Sequence, residues 1–166
     1  MIRHLLMAET IFALSSGAPP AAIGLIRISG PEASRALTEI CGKLPEPRRA
    51  SYVTMRGTDG MVLDRGLALW FPGPATATGE DLAELHCHGG RAVIAAIVAR
   101  LVGLPGLRPA EPGEFTRRAF ANGRIDLAEA EGHRRVERGG SDQHSGKADE
   151  RVEARHELRH RGHRDG

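Results

Sequence analysis

Apolar residues in the first half of this chain fall into short runs divided by glycine and proline, a pattern that predicts strands and brief helices. Thr10 to Leu14 is the first run, closed by Ser15-Ser16-Gly17 and Pro19-Pro20. Ile23 to Ile28 is the second. It is β-branched and mostly apolar, as expected of a strand covered on both faces, and Arg27 is its one charged interruption. Ser29-Gly30-Pro31 then opens a helix. Pro31 suits a first helical position, Ala33, Leu37 and Ile40 recur at helical spacing, and Gly42 is placed to stop the helix. Ser51 to Arg56 and Met61 to Phe71 flank Asp59-Gly60, which predicts an antiparallel hairpin closed by a type I′ turn with positive φ at both central residues.

Further along, Thr78-Gly79-Glu80-Asp81 leads into Leu82 to His88, where alternation sets Leu82, Glu84, His86 and His88 on one face of a strand. Gly89-Gly90 separates it from Arg91 to Val102, which is apolar enough for a buried helix. Beyond Pro105-Gly106 and Pro112-Gly113 comes an amphipathic helix, Glu114 to Ala121, stopped at Asn122-Gly123. Ile125 to Glu131 begins another helical pattern. Strands interspersed with helices around a clear hairpin predict an α+β domain: a mixed β-sheet with packed helices.

Composition changes this picture only after Glu131. Of the first 131 residues 62 are apolar, with 14 Lys and Arg against 14 Asp and Glu, whereas the last 35 hold five apolar side chains, nine basic and seven acidic ones. So few apolar groups cannot offset ordering entropy, so residues 132–166 are expected to be disordered, apart from a transient helix that Glu153/Glu157 and Arg155/Arg159 could form. Balanced charge over the rest argues against holding nucleic acid by phosphate neutralisation alone. The longest apolar run, Ala92 to Ala99, has eight residues, far short of the roughly 20 that span a bilayer. With no secretory pattern and only Cys41 and Cys87 as thiols, a cytoplasmic protein is expected.

Three features could carry chemistry. His86-Cys87-His88 would place two imidazoles on one strand face, but a zinc site needs further ligands that no nearby motif supplies, so no metal is expected. Alternation turns Cys87 away from both imidazoles, which argues against a His-activated nucleophile. Arg27 and Glu84 each place a charge within a strand, where desolvation must be offset by a partner or a ligand. Two readings stand: an internal ion pair, or a pair facing a polar, planar ligand, the carboxylate accepting two parallel hydrogen bonds and the guanidinium gripping an oxygen.

Three blocks in order carry a family resemblance: Gly24-Leu25-Ile26-Arg27-Ile28-Ser29-Gly30-Pro31; Thr78-Gly79-Glu80-Asp81 through Glu84-Leu85-His86-Cys87-His88-Gly89-Gly90; and Glu111-Pro112-Gly113-Glu114-Phe115-Thr116-Arg117-Arg118-Ala119-Phe120 with Asn122-Gly123-Arg124-Ile125-Asp126-Leu127. Over about residues 9 to 131 the chain resembles the N-terminal domain of the MnmE (TrmE) tRNA-modification GTPases. That resemblance implies a folate-binding and dimerisation domain over 9–121, similar to the aminomethyltransferase fold, the start of a helical domain over 122–131, and a divergent tail over 132–166. It implies a tetrahydrofolate cofactor, 5-formyl or 5,10-methylene, contacted by Arg27, Glu84 and Arg124, the last at a position that is commonly Lys in the family. It further implies a homodimer, an FAD-dependent partner, MnmG, and action on C5 of the tRNA wobble uridine, with weak direct tRNA binding by this chain and no catalytic residue assigned to it.

Two departures stand out. The first loop reads Ala18-Pro19-Pro20-Ala21-Ala22 where the family often has a glycine-rich run. No phosphate-cradling Gly-x-x-x-x-Gly-Lys-Ser/Thr occurs, so a GTPase domain is expected to be absent, with GTP, Mg and K unbound and the chain inactive alone. The Arg-, Gly- and His-rich tail reads as an out-of-frame continuation. The alternatives to this reading are a freestanding folate-dependent enzyme of the aminomethyltransferase type and a pure dimerisation module.

Overall fold

The computed structural model describes residues 9–126. The helical start expected at 127–131 and the tail expected at 132–166 lie outside the described residues. The elements are β1 (Thr10–Leu14), β2 (Ile23–Ser29), α1 (Ala33–Cys41), β3 (Ser51–Arg56), β4 (Val62–Phe71), β5 (Leu82–His88), α2 (Arg91–Val102), β6 (Leu107–Pro109) and α3 (Glu114–Ala121). Six strands form one sheet in the order β3-β4-β5-β2-β1-β6. Every pairing is antiparallel except β1 with β6, which makes the sheet mixed, as the α+β expectation requires.

Register explains which face is core. Phe12, Ile28, Ala83 and Trp70 lie opposite one another across four strands, and Ile26, Leu85 and Ala68 form the next row. All are buried, in one cluster with Ala33, Ala36, Leu37 and Ile40 of α1 and Ile94, Ile97 and Leu101 of α2. Both helices therefore cover the same face. Gly42 ends α1 in the left-handed conformation, its N–H donating to the Thr38 carbonyl, as its place in the sequence predicts.

Three expectations need correction. First, β2 is covered on both faces only at its Ser29 end: Gly24, Ile26 and Ile28 are buried on the helix side, whereas on the other side Leu25 and Arg27 are half-exposed and Ile23 is exposed. An apolar run suggests two-sided burial, but β2 sits between antiparallel neighbours, and such sheets tolerate water on one side. Second, the β3–β4 hairpin is not closed by a type I′ turn. Gly60 alone takes positive φ (79°), Asp59 does not, and the Gly60 N–H donates to the Gly57 carbonyl at 3.1 Å. The loop thus runs over Thr58, Asp59 and Gly60, with the Met61 N–H donating to Asp59 Oδ1 at 3.0 Å, and three-residue loops use an ordinary turn followed by one left-handed residue. Third, β6 was not foreseen, because three residues are too few to show a period.

Candidate site on the second sheet face

Side chains that alternate with the core rows define the second face. Across it Ala13, Arg27, Glu84 and Leu69 lie in one row, and Leu25, His86, Leu67 and Tyr52 in the next. The β2–β5 ladder places Arg27 directly opposite Glu84, so the two charges meet although 57 residues separate them in sequence. Arg27 donates from Nη2 at 3.0 Å and from Nε at 3.2 Å to Glu84 Oε1. His86 Nε2 lies 3.2 Å from the other oxygen, Oε2. The side chains of Arg27 and Glu84 are 32% and 15% exposed, so the cluster is neither core nor free in solvent. Leu25, Leu67 and Leu69 flank it with apolar surface.

His88, the fourth member of the predicted polar face, takes a different partner. Asp64 Oδ2 accepts the His88 backbone N–H at 2.7 Å, and Asp64 Oδ1 lies 2.8 Å from His88 Nδ1. Burial, the largest single influence, pushes the Asp64 carboxyl up, but hydrogen bonds from the His88 backbone and ring and from the Arg65 backbone together hold it below its ordinary value. Cys87 points into the core, its Sγ 3.4 Å from the Gly24 carbonyl, and burial first, with the Asp64 charge second, pushes its thiol up. A thiol so disposed is a poor nucleophile. Among the described residues no three His, Cys, Asp or Glu side chains are grouped to hold a metal.

The opposite end of the same face is closed. Ile11, Ser29 and Leu82, in register one row beyond Arg27, are buried outside the main core cluster. Ser29 Oγ and Thr78 Oγ1 lie 2.7 Å apart, and Ser29 Oγ donates to Glu80 Oε2 at 2.8 Å. Glu80 in turn accepts from Arg118 Nη1 at 3.0 Å, and Arg118 Nη2 donates to Glu114 Oε1 at 3.1 Å. Arg108 grips the same carboxylate through both Nη groups, at 2.8 and 2.7 Å. Burial alone pushes the Glu114 carboxyl up. The hydrogen bonds from Arg108, the Glu111 N–H and Arg118 outweigh it and bring it down to about 2. Arg108 is pushed up, first by its hydrogen bond to Glu114.

Arg124, the third residue assigned to folate by resemblance, touches neither Arg27 nor Glu84. Its Nε donates to the Thr76 carbonyl at 2.9 Å, on the loop whose Thr78 reaches Ser29. Sequence reasoning thus named the open pair and passed over Glu80, Arg108, Glu114 and Arg118. Their available signal was a helix, Glu114–Ala121, that carries Glu114 and Arg118 four residues apart on one side.

A two-layer α+β domain with α1 and α2 on one sheet face and a half-exposed ionic cluster on the other is the class of protein defined here. Residues 10–124 match the family described as "GTP-binding protein TrmE N-terminus", and the chain belongs to that family. It is 71% identical over 127 residues to the tRNA modification GTPase MnmE of Novosphingobium aromaticivorans, covering 76% of this chain and 29% of that protein. It is 69% identical over 124 residues to the protein of that name from Erythrobacter litoralis, covering 75% of this chain and 29% of that protein. To its counterpart in Rhodopseudomonas palustris it is 58% identical over 124 residues, covering 75% and 28%. The chain thus spans less than a third of the length of the curated relatives it matches. No helix among the described residues is long and apolar enough to cross a membrane.

Proposed function

We propose that this domain binds a reduced one-carbon folate, 5-formyl- or 5,10-methylene-tetrahydrofolate, on its second sheet face, as the N-terminal part of a homodimeric GTPase that modifies C5 of the tRNA wobble uridine. The observation that carries this reading is the Arg27–Glu84–His86 cluster, half-exposed between leucines on a sheet whose other face is fully packed. A carboxylate accepts two parallel donors from an amino-pyrimidinone edge, a guanidinium donates to carbonyl or carboxylate oxygens, and Leu25, Leu67 and Leu69 offer a flat ring apolar surface. Partly exposed ion pairs contribute at most about 1 kcal/mol, so a bidentate ligand competes successfully for Glu84. Arg124 docks on the loop bordering the same face and is assigned a ligand oxygen.

The folate, when bound, supplies the one-carbon unit, while Arg27, Glu84 and Arg124 bind and orient it. Action on tRNA, the nucleotide chemistry and a flavin-dependent partner, MnmG, belong to this reading of the whole protein, in the cytoplasm. Isothermal titration of the chain with 5-formyltetrahydrofolate tests it. Saturable binding is expected, weakened at least tenfold in an Arg27→Ala/Glu84→Ala variant of native circular dichroism, in line with the loss of charge-assisted hydrogen bonds worth about 1.5–3 kcal/mol each. No binding by the folded wild-type chain overturns it.

One observation favours a second reading, a dimerisation module without ligand: Arg27 and Glu84 already satisfy each other, and Tyr52 on the same face is 70% exposed. Dimers that persist while folate binding is lost on Glu84→Ala count against that module. One-carbon transfer by this chain alone would point instead to a freestanding aminomethyltransferase-type enzyme.

A further inference from the structure

The turn after α3 is fastened to the Thr76–Gly79 loop by two side chains and back to α3 through the backbone. Asn122 Nδ2 donates to the Thr78 carbonyl at 2.7 Å, the Arg124 N–H to the Ala119 carbonyl at 2.8 Å, and Arg124 Nε to the Thr76 carbonyl at 2.9 Å. The loop is itself anchored. Thr76 and Thr78 are both buried, Thr76 Oγ1 donates to the Glu80 carbonyl at 2.6 Å, and Thr78 Oγ1 lies against Ser29 of β2. Gly79 permits the close fit. Its φ is +78°, and a Cβ there would stand 2.7 Å from Asn122 Cβ and 3.2 Å from Arg124 Cγ. Arg124 itself is exposed, and among the described residues its two Nη groups meet no hydrogen-bond partner.

We propose that Asn122 is a positioning residue: it latches the post-helical turn to the Thr76–Gly79 loop, so that Arg124, held at Nε, presents its Nη edge end-on to an oxygen of the ligand. The ligand's identity rests on the folate reading above, but the latch does not. A guanidinium fixed at Nε gives up less rotamer freedom on binding than one attached only through its own flexible chain. It also retains the fork that engages a carboxylate through two parallel bonds. A lysine has no second nitrogen with which to be held in this way.

The test combines titration with 5-formyltetrahydrofolate and the arginine Nε–H resonances of the full chain in wild type, Asn122→Ala, Arg124→Ala and the double variant. Loss of one neutral hydrogen bond predicts affinity about three- to tenfold weaker for Asn122→Ala. The double variant binds no more weakly than Arg124→Ala, because Asn122 acts through Arg124. The Arg124 Nε–H resonance, distinct in wild type, merges with those of solvent-exposed arginines in Asn122→Ala. Asn122→Leu keeps the size while removing the donor without adding charge, and gives the same result should the alanine variant not fold. Multiplicative losses, or an Nε–H resonance unchanged by Asn122→Ala, overturn the proposal. If wild type binds no folate and the resonance still merges, the folate reading falls and the latch stands.

Discussion

Two ionic clusters share one face of this sheet and differ in what surrounds them. Arg27, Glu84 and His86 lie where the face is open, with side chains 32% exposed for Arg27 and 15% for Glu84. Arg118, Glu80, Glu114 and Arg108 lie where α3 and the Thr76–Asp81 loop close it, with Arg118 and Glu114 only 5% and 6% exposed. Both clusters are built from arginine and glutamate. Surroundings therefore decide the role: an open pair can exchange its partner for a ligand at little cost, whereas an enclosed one cannot lose a member without stranding a buried charge. The enclosed cluster joins β2, the β4–β5 loop, β6 and α3.

The comparison breaks most sharply on Arg118→Ala. Removing that guanidinium takes from the largely buried Glu80 its ion pair and from Glu114 one of its two arginines, and a loss of about 3–5 kcal/mol is expected, seen as a lower urea midpoint or as failure to fold. A loss below 1 kcal/mol would make the two clusters equivalent. Acid titration comes next. The folded Glu114 carboxyl stands at about 2 against an ordinary value of 4.5, so it is depressed, and its contribution is present above 4.5 and disappears as pH falls from there toward 2. That contribution is about 3 kcal/mol. Urea unfolding at pH 6 and pH 3 should show it, and Glu114→Gln should flatten the difference. The smallest effect on stability belongs to the open pair: Arg27→Ala/Glu84→Ala should change it by about 1 kcal/mol or less while weakening folate binding at least tenfold. A drop as large as that of Arg118→Ala would place the open pair among the structural contacts.

Much of this was legible in the chain. Most strands and all three helices follow from apolar spacing and glycine or proline stops, and Arg27 and Glu84 announce themselves as charges inside strands. That the two meet belongs to the β2–β5 register, which sets them opposite each other. The enclosed network was hidden for a similar reason. Glu114–Ala121 reads as a capped surface helix, and only the arrival of Glu80 and Arg108 makes burial of its Glu114 and Arg118 tolerable.

From sequence alone came the element order, the α+β class and the residues worth testing, because periodicity and turn chemistry act between neighbours in the chain. Tertiary structure decided which face of β2 meets water, how the Asp59-Gly60 hairpin turns, which arginine meets which glutamate, and that Arg124 docks on Thr76 instead of joining the open pair. The turn is settled within a few residues, but the meetings of Arg27 with Glu84, Arg118 with Glu80 and Arg124 with Thr76 depend on ladder register and loop closure across 38 to 57 residues of intervening chain, distances over which no local pattern carries information.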